Sequence, residues 1–184
     1  MKLERSALNS IVPLDRTHNR AAFCCGVKHL NNYLKDAAVQ DQENKFSRVF
    51  VLTLVEDPKF ILGYYALSSC QIETKNLPAD LLKKLPKRST VGATLLGKMA
   101  IAESVQRNDL KLGRYLLVDA FRQAWIASQS VSSYAMVADI RPGEKGDPSE
   151  FYEKHGFLTL TTERKRLFLP MTTIETFLKA SEII

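Results

Sequence analysis

Between residues 103 and 114 the sequence reads ESVQRNDLKLGR, a polar turn that carries the cations Arg107, Lys111 and Arg114 and contains Gly113. Cationic side chains beside free backbone N–H groups bind anions, phosphate above all. Gly113 has no Cβ, so a bound group can come close to the main chain there. Such a turn needs a strand to deliver it and a helix to receive it. Residues 95–102, LLGKMAIA, are an apolar run of strand length. Beyond the turn, Leu116, Leu117, Ala120, Phe121 and Ala124 recur at spacings of one, three and four, which is one face of an amphipathic helix. The unpaired N–H groups and the positive dipole end of that helix then fall at the turn, a cradle for a pyrophosphate. The same pattern also serves as a solvated strand-to-helix connection, and this stretch alone leaves both readings open.

Length and composition bound the rest. A chain of 184 residues fits one domain with a single core. Hydrophobic content of 45% with 25% charged residues belongs to globular proteins rather than disordered ones. No apolar run approaches a membrane span, and the opening MKLER lacks the apolar core of a signal peptide, so a cytoplasmic protein is expected. Three cysteines, two of them adjacent, make neither a disulfide framework nor a zinc pattern, and no metal is expected. The net charge of +6 favours an anionic partner: nucleic acid, a phosphorylated cofactor or an acidic protein.

Read in order, residues 9–14 make a short strand and 23–26 a turn. Val27, Leu30, Tyr33, Leu34, Ala37 and Ala38 then predict a helix to about residue 44. Residues 48–55 and 60–73, rich in β-branched and aromatic side chains, predict a β-hairpin broken at Asp57-Pro58. A short helix inside a basic loop follows at 76–90, with Lys75, Lys83, Lys84, Lys87 and Arg88 set against Asp80. After the central strand, turn and helix comes a strand at 132–138. A short helix at 149–155 is stopped by Gly156. Strands at 157–160 and 166–169, joined by a charged turn at 163–165, precede a last helix at 173–180. The alternation gives an α/β architecture with a mixed central β-sheet flanked by helices.

These pieces, in this order, resemble the GNAT fold of acetyl-coenzyme A-dependent N-acetyltransferases over nearly the whole chain, read as a single domain of residues 1–184. The resemblance implies that Met99, Ala100 and Ile101 present their backbone to the pantetheine arm. It implies that Gln106, Arg107, Asn108, Lys111, Leu112, Gly113 and Arg114 surround the pyrophosphate. In the family the turn reads Gln/Arg-x-x-Gly-x-Gly/Ala. Here Asn108 stands at the Gln/Arg position, Lys111 replaces the first Gly, and the turn is about two residues longer. Gln106 is the alternative polar start, with the extra residues bulged out. The segments FCCGVKHLNNYL (23–34), GYYALS (63–68) and FYEKHGF (151–157) resemble a narrower group, the acetyltransferase toxins of bacterial type II toxin–antitoxin systems. Members of that group acetylate the amino group of aminoacyl-tRNA, are held by ribbon-helix-helix antitoxins, and are commonly homodimers. The resemblance implies the same co-substrate, acetyl-CoA, and the same partners here.

Acetyl transfer needs a neutral amine, a polarised thioester carbonyl and a proton for the departing thiolate. An α-amine titrating near 8 barely needs a base, whereas a lysine acceptor near 10.4 needs more help. Tyr152 matches the family's general acid; its alternative is an aromatic packed between Phe151 and Phe157. The N–H of Ala100 or Ile101 would polarise the carbonyl. Glu103 could act as base through a water or simply cap the turn, and His155 suits the last turn of a helix without any catalytic part. Cys25 and Cys70 read as small buried hydrophobes. Lys83, Lys84, Lys87 and Arg88, with Arg164, Lys165 and Arg166 beyond, would track a tRNA backbone, or form a solvated basic surface. The alternatives to an aminoacyl-tRNA acetyltransferase are a housekeeping enzyme acting on a small amine or protein lysine, and a non-catalytic acyl-CoA-binding module.

Overall fold

Continuous apolar runs, rather than alternating ones, mark the strands at the centre of this protein. In RVFVLT every residue after Arg48 is buried, and so is every residue of ILGYYAL at 61–67. Strands covered on both faces need helices on both sides. The computed structural model describes residues 4–106, 109–141, 146–160 and 165–184. The strands are β1 (Val12–Pro13), β2 (Arg48–Thr53), β3 (Ile61–Glu73), β4 (Thr90–Ile101), β5 (Ala135–Asp139), β6 (Leu158–Thr159) and β7 (Arg166–Pro170). The helices are α1 (Lys28–Asn32), α2 (Ala38–Glu43), α3 (Ala79–Leu82), α4 (Leu112–Ser128), α5 (Ser149–Glu153) and α6 (Met171–Ala180). The sheet order is β1-β2-β3-β4-β5-β7-β6. β4 and β5 run parallel, while β2–β3 and β5–β7 are antiparallel pairs. The mixed, helix-flanked sheet is the architecture the sequence predicts.

The chain divides into two compact units, Met1–Ser68 with Gly97–Ala120, and Ser69–Leu96 with Phe121–Ile184. In the first, β3 alternates its side chains between two helical layers. Tyr64 faces α1: its hydroxyl donates to the Leu30 carbonyl at 2.9 Å, and its ring meets Phe23 edge-on and stacks near Tyr33. Burial pushes the Tyr64 hydroxyl far above its ordinary range. Gly63 and Tyr65 face the other way, toward α4. The single helix expected over 27–44 is interrupted by a π-helical segment, Tyr33–Ala37, joining α1 to α2. There the Lys35 carbonyl accepts from the Arg20 guanidinium at 2.6 Å. Periodicity cannot show this, because one wider turn leaves the apolar stripe nearly in place.

In the second unit Ile72, Leu77, Ala93, Ala135, Val137, Leu160 and Phe168 form the core. Phe121 adds a layer between Phe157 and Phe177. β4 starts at Thr90, five residues before the expected strand, since Gly92 and the flanking threonines hide a strand from an apolar count. The basic loop is pinned by buried Thr74, whose N–H donates to the Ser89 carbonyl (2.9 Å) and whose hydroxyl donates to the Arg88 carbonyl (2.5 Å). The charged turn expected at 163–165 falls mostly outside the described residues.

A Cβ at Gly63 would stand 2.8 Å from Ile101 Cδ1 and 3.0 Å from both the Ala100 oxygen and Leu116 Cδ1. Real Cβ atoms do not approach backbone so closely, so something must move. Gly63→Ala should therefore lower stability by about 1–3 kcal/mol, read as a fall in the denaturant midpoint. An unchanged midpoint would mean that β3 retreats without cost.

Candidate functional site

The site is built from the end of β4 outward. Ala102 N–H donates to the Leu62 carbonyl at 2.8 Å, which holds the strand end beside β3. The chain then turns through a single 3-10 turn, Glu103–Val105, where Glu103 N–H donates to the Cys24 carbonyl at 2.9 Å. Gln106 follows. Its side-chain amide donates to the carbonyls of Ile101 (2.8 Å) and Cys25 (2.9 Å), and its backbone N–H donates to Glu103. Gln106 thus ties strand end, turn and the 24–25 loop together, with its amide hydrogens directed at protein carbonyls. Glu103 receives a weak contact from the Cys24 thiol at 3.7 Å. Arg107 and Asn108 lie outside the described residues.

Lys111 has φ of 49°, the left-handed region. The resemblance puts the turn's first glycine at this position, and glycine is the residue that takes left-handed backbone without cost. α4 then opens at Leu112, which is buried, with Gly113 half-buried and helical and Arg114 exposed. The N–H groups of Leu112, Gly113 and Arg114 have no carbonyl a turn earlier in their own helix. They point out of the positive end of a 17-residue helix, with exposed Lys111 and Arg114 alongside. This arrangement fits a pyrophosphate.

On the strand side, the β4–β5 ladder pairs Thr94 with Met136, Leu95 with Val137 and Leu96 with Ala138. β4 runs on past its last pair through residues 97–101, so Met99, Ala100 and Ile101 lie beyond the ladder. A strand that outruns its neighbour can take an extended ligand arm as it would take another strand. Lys98 sits in the same stretch, its ammonium 4.9 Å above the Tyr33 ring. Sequence reasoning passed over this residue; a lone cation inside an apolar strand was the available signal.

In the second unit, Asp147 caps the start of α5 through the Ser149 N–H at 2.8 Å and hydroxyl at 2.5 Å. Tyr152 is 8% exposed and sits edge-on between Phe151 (5.2 Å) and Phe157 (5.3 Å). Burial pushes its hydroxyl up to about 12, so the phenol keeps its proton at neutral pH. Among the described residues, none bonds that hydroxyl. Gly156, at φ 89°, ends the helix as expected. His155 points its Nδ1 at the Phe151 carbonyl (2.7 Å) and packs its ring on Phe151.

Lys83, Lys84, Lys87 and Arg88 are all exposed on the loop that Thr74 pins. Arg166, grouped above with the basic surface, is instead committed to Asp139 through Nε (2.6 Å) and a second nitrogen (3.2 Å). Lys165 is exposed, and Arg164 lies outside the described residues. Buried Cys25 is more than a small hydrophobe: its thiol contacts Asn31 Oδ1 at 3.1 Å. Half-buried Cys70 has its thiol pushed up to about 11 by burial. Among the described residues no group of His, Cys, Asp and Glu could hold a metal ion, and no helix is long and apolar enough to cross a membrane.

No family model matches the chain. It is 28% identical over 178 residues to the probable toxin TacT of Sinorhizobium fredii, across 94% of this chain and 97% of that protein. AtaT complexed with acetyl-methionyl-tRNAfMet matches it at TM-score 0.82 and 30% identity, over 93% of this chain and 99% of that one. A tyrosine-to-phenylalanine mutant of KacT matches at TM-score 0.83 and 29% identity, with the same coverage. AtaTR has been solved with acetyl-CoA bound, at TM-score 0.74 and 27% identity over 94% of this chain and 98% of that one. Matching these proteins along almost its full length, the chain belongs to the GNAT-fold acetyltransferase toxins of type II toxin–antitoxin systems.

Left-handed backbone costs an L-residue about 1–2 kcal/mol, which glycine avoids. Lys111→Gly should accordingly raise stability by about 1 kcal/mol while weakening cofactor affinity through the lost cation. Thermal melting and calorimetry on the same variant check the two effects, and a destabilised variant would mean that the Lys111 side chain holds the turn.

Proposed function

We propose that this chain transfers an acetyl group from acetyl-CoA to the α-amino group of an aminoacyl-tRNA, and so blocks translation. The observation that carries the reading is the likeness, at 30% identity over nearly the whole chain, to AtaT complexed with acetyl-methionyl-tRNAfMet. The N–H groups that open α4, with Lys111 and Arg114, hold the pyrophosphate. The peptide groups of Met99, Ala100 and Ile101 line the pantetheine arm, and the N–H of Ala100 or Ile101 polarises the carbonyl. Acetyl-CoA, when bound, supplies the acetyl group as a thioester. No strong base is required of the protein, because an α-amine near 8 is substantially neutral at physiological pH. Tyr152 delivers a proton to the departing thiolate, and the proton lost by the amine restores the phenol. The tyrosine-to-phenylalanine mutants solved for both KacT and AtaT support giving a tyrosine this weight.

Lys83, Lys84, Lys87 and Arg88 track the tRNA backbone. A homodimer in the cytoplasm, held by a small ribbon-helix-helix antitoxin, belongs to the same reading. Of these, the antitoxin partner has the support of the structure of AtaT with the C-terminus of the antitoxin AtaR and acetyl-CoA.

Tyr152→Phe should fold and melt like the unsubstituted chain and lose about a hundredfold in turnover; equal turnover would remove Tyr152 from the mechanism. With the phenol at about 12, the rate should rise between pH 7 and 9 as the acceptor amine loses its proton, without falling in that range. A rate that climbs only toward pH 10 would indicate a lysine-like acceptor instead. Replacing Lys83, Lys84, Lys87 and Arg88 with alanine should flatten the salt dependence of tRNA binding by about three to four in log–log slope and leave acetyl-CoA affinity alone. An unchanged slope would put the tRNA elsewhere.

A further inference from the structure

The glycine-tyrosine-tyrosine triplet of β3 does something that neither its burial nor its sequence resemblance explains. Tyr65 is fully buried and stacked on Phe50 at 5.0 Å, yet its hydroxyl donates to the carboxylate of Asp119 at 2.5 Å. Asp119 is half-buried in the middle of α4, where aspartate is a poor helix former and has no cap to make. Two residues earlier on the same face of β3, Gly63 brings its backbone against Ala100, Ile101 and Leu116. Leu116 and Asp119 are three residues apart and so share a face of α4. β3 therefore touches α4 twice. Leu116 against Gly63 sets how close the helix comes, and Asp119 against Tyr65 sets where it stands along its axis, since a directed hydrogen bond resists sliding in a way that an apolar contact does not. Gly63 also lies against the end of β4, at Ala100 and Ile101.

We propose that Tyr65 and Asp119 form a positioning pair that sets the N-terminal turn of α4 in register with the end of β4. The inference rests on the acetyl-CoA reading above. Asp119 lies seven residues into the helix, about 10 Å from its first N–H groups, so the pair touches no part of the ligand. It acts by holding the pyrophosphate donors and the β4 backbone at one spacing. A ligand that spans both, as acetyl-CoA does, depends on that spacing. A ligand that uses only the turn does not.

The experiment is calorimetric titration of the full chain and its variants with acetyl-CoA and, separately, with the phosphoadenosine diphosphate half of coenzyme A. Tyr65→Phe should bind acetyl-CoA about tenfold more weakly and bind the nucleotide half as the unsubstituted chain does. Asp119→Asn keeps an oxygen that can accept from Tyr65 and should recover most of the affinity, whereas Asp119→Ala should not. Steady-state rates should show the loss in KM for acetyl-CoA rather than in kcat. Acetyl-CoA affinity in Tyr65→Phe equal to that of the unsubstituted chain would overturn the inference, and so would equal losses for both ligands. Should Tyr65→Phe fail to fold, the contrast between Asp119→Asn and Asp119→Ala decides in the same way. If the unsubstituted chain binds neither ligand, the acetyl-CoA reading itself falls and takes this inference with it.

Discussion

Strand β3 is covered on both faces from Ile61 to Leu67, and most of its unit is placed by which face it meets. On one side Tyr64 reaches the Leu30 carbonyl and anchors α1. On the other, Gly63 and Tyr65 receive α4 and the end of β4. A doubly covered strand has no solvent side onto which misplaced atoms can relax, so a change at any of these positions must be absorbed by a helix or by a neighbouring strand. The candidate phosphate turn is the segment strung between two of those neighbours. Its strand end is fastened by Ala102 to Leu62 and by Gln106 to Ile101, and its helix by Leu116 and Asp119. The loop is held at both ends by one strand.

Strain and charge meet within that turn. A glycine at position 111 would reach the left-handed backbone without cost, whereas the lysine does so against its Cβ. In exchange the turn gains a cation beside the open end of α4. The cost is about 1 kcal/mol, and a charge at a helix N-terminus that faces a phosphate is worth at least as much when solvent is partly excluded. If the turn holds the proposed pyrophosphate, Lys111 exchanges fold stability for anion affinity within a single residue.

Much of this was legible in the sequence, for reasons that can be named. β2 and β3 announced themselves because β-branched and aromatic runs bounded by Asp57-Pro58 have few other solutions. The stop at Gly156 could be read because helices end on left-handed glycine. The early start of β4 could not, since Thr90, Val91, Gly92 and Thr94 spell a loop as readily as a strand. Neither the π-helical segment nor the commitment of Gln106 and Arg166 to protein partners has a one-dimensional signature. Gln106 turns to Ile101 and Cys25, and Arg166 to Asp139, because of where the fold brings distant residues. Charge in a sequence reports that a cation exists, and only the fold reports whether it is already paired.

The environment of Tyr152 constrains what a phenol can contribute to the proposed reaction. Alkyl thiols titrate near 8.5, and burial holds Tyr152 at about 12. Outright proton transfer from this phenol to a departing thiolate is therefore uphill by about 5 kcal/mol if the tyrosinate is left behind. The transfer becomes affordable when the phenol regains a proton as it gives one up, and the attacking amine, which must shed a proton on forming the amide, is the group that can supply it. In the proposed reaction Tyr152 is then a relay that is never ionised. Its apolar flanks, Phe151 and Phe157, suit that part, because the desolvation that would cripple a tyrosine needed as an anion costs nothing to one that stays neutral throughout.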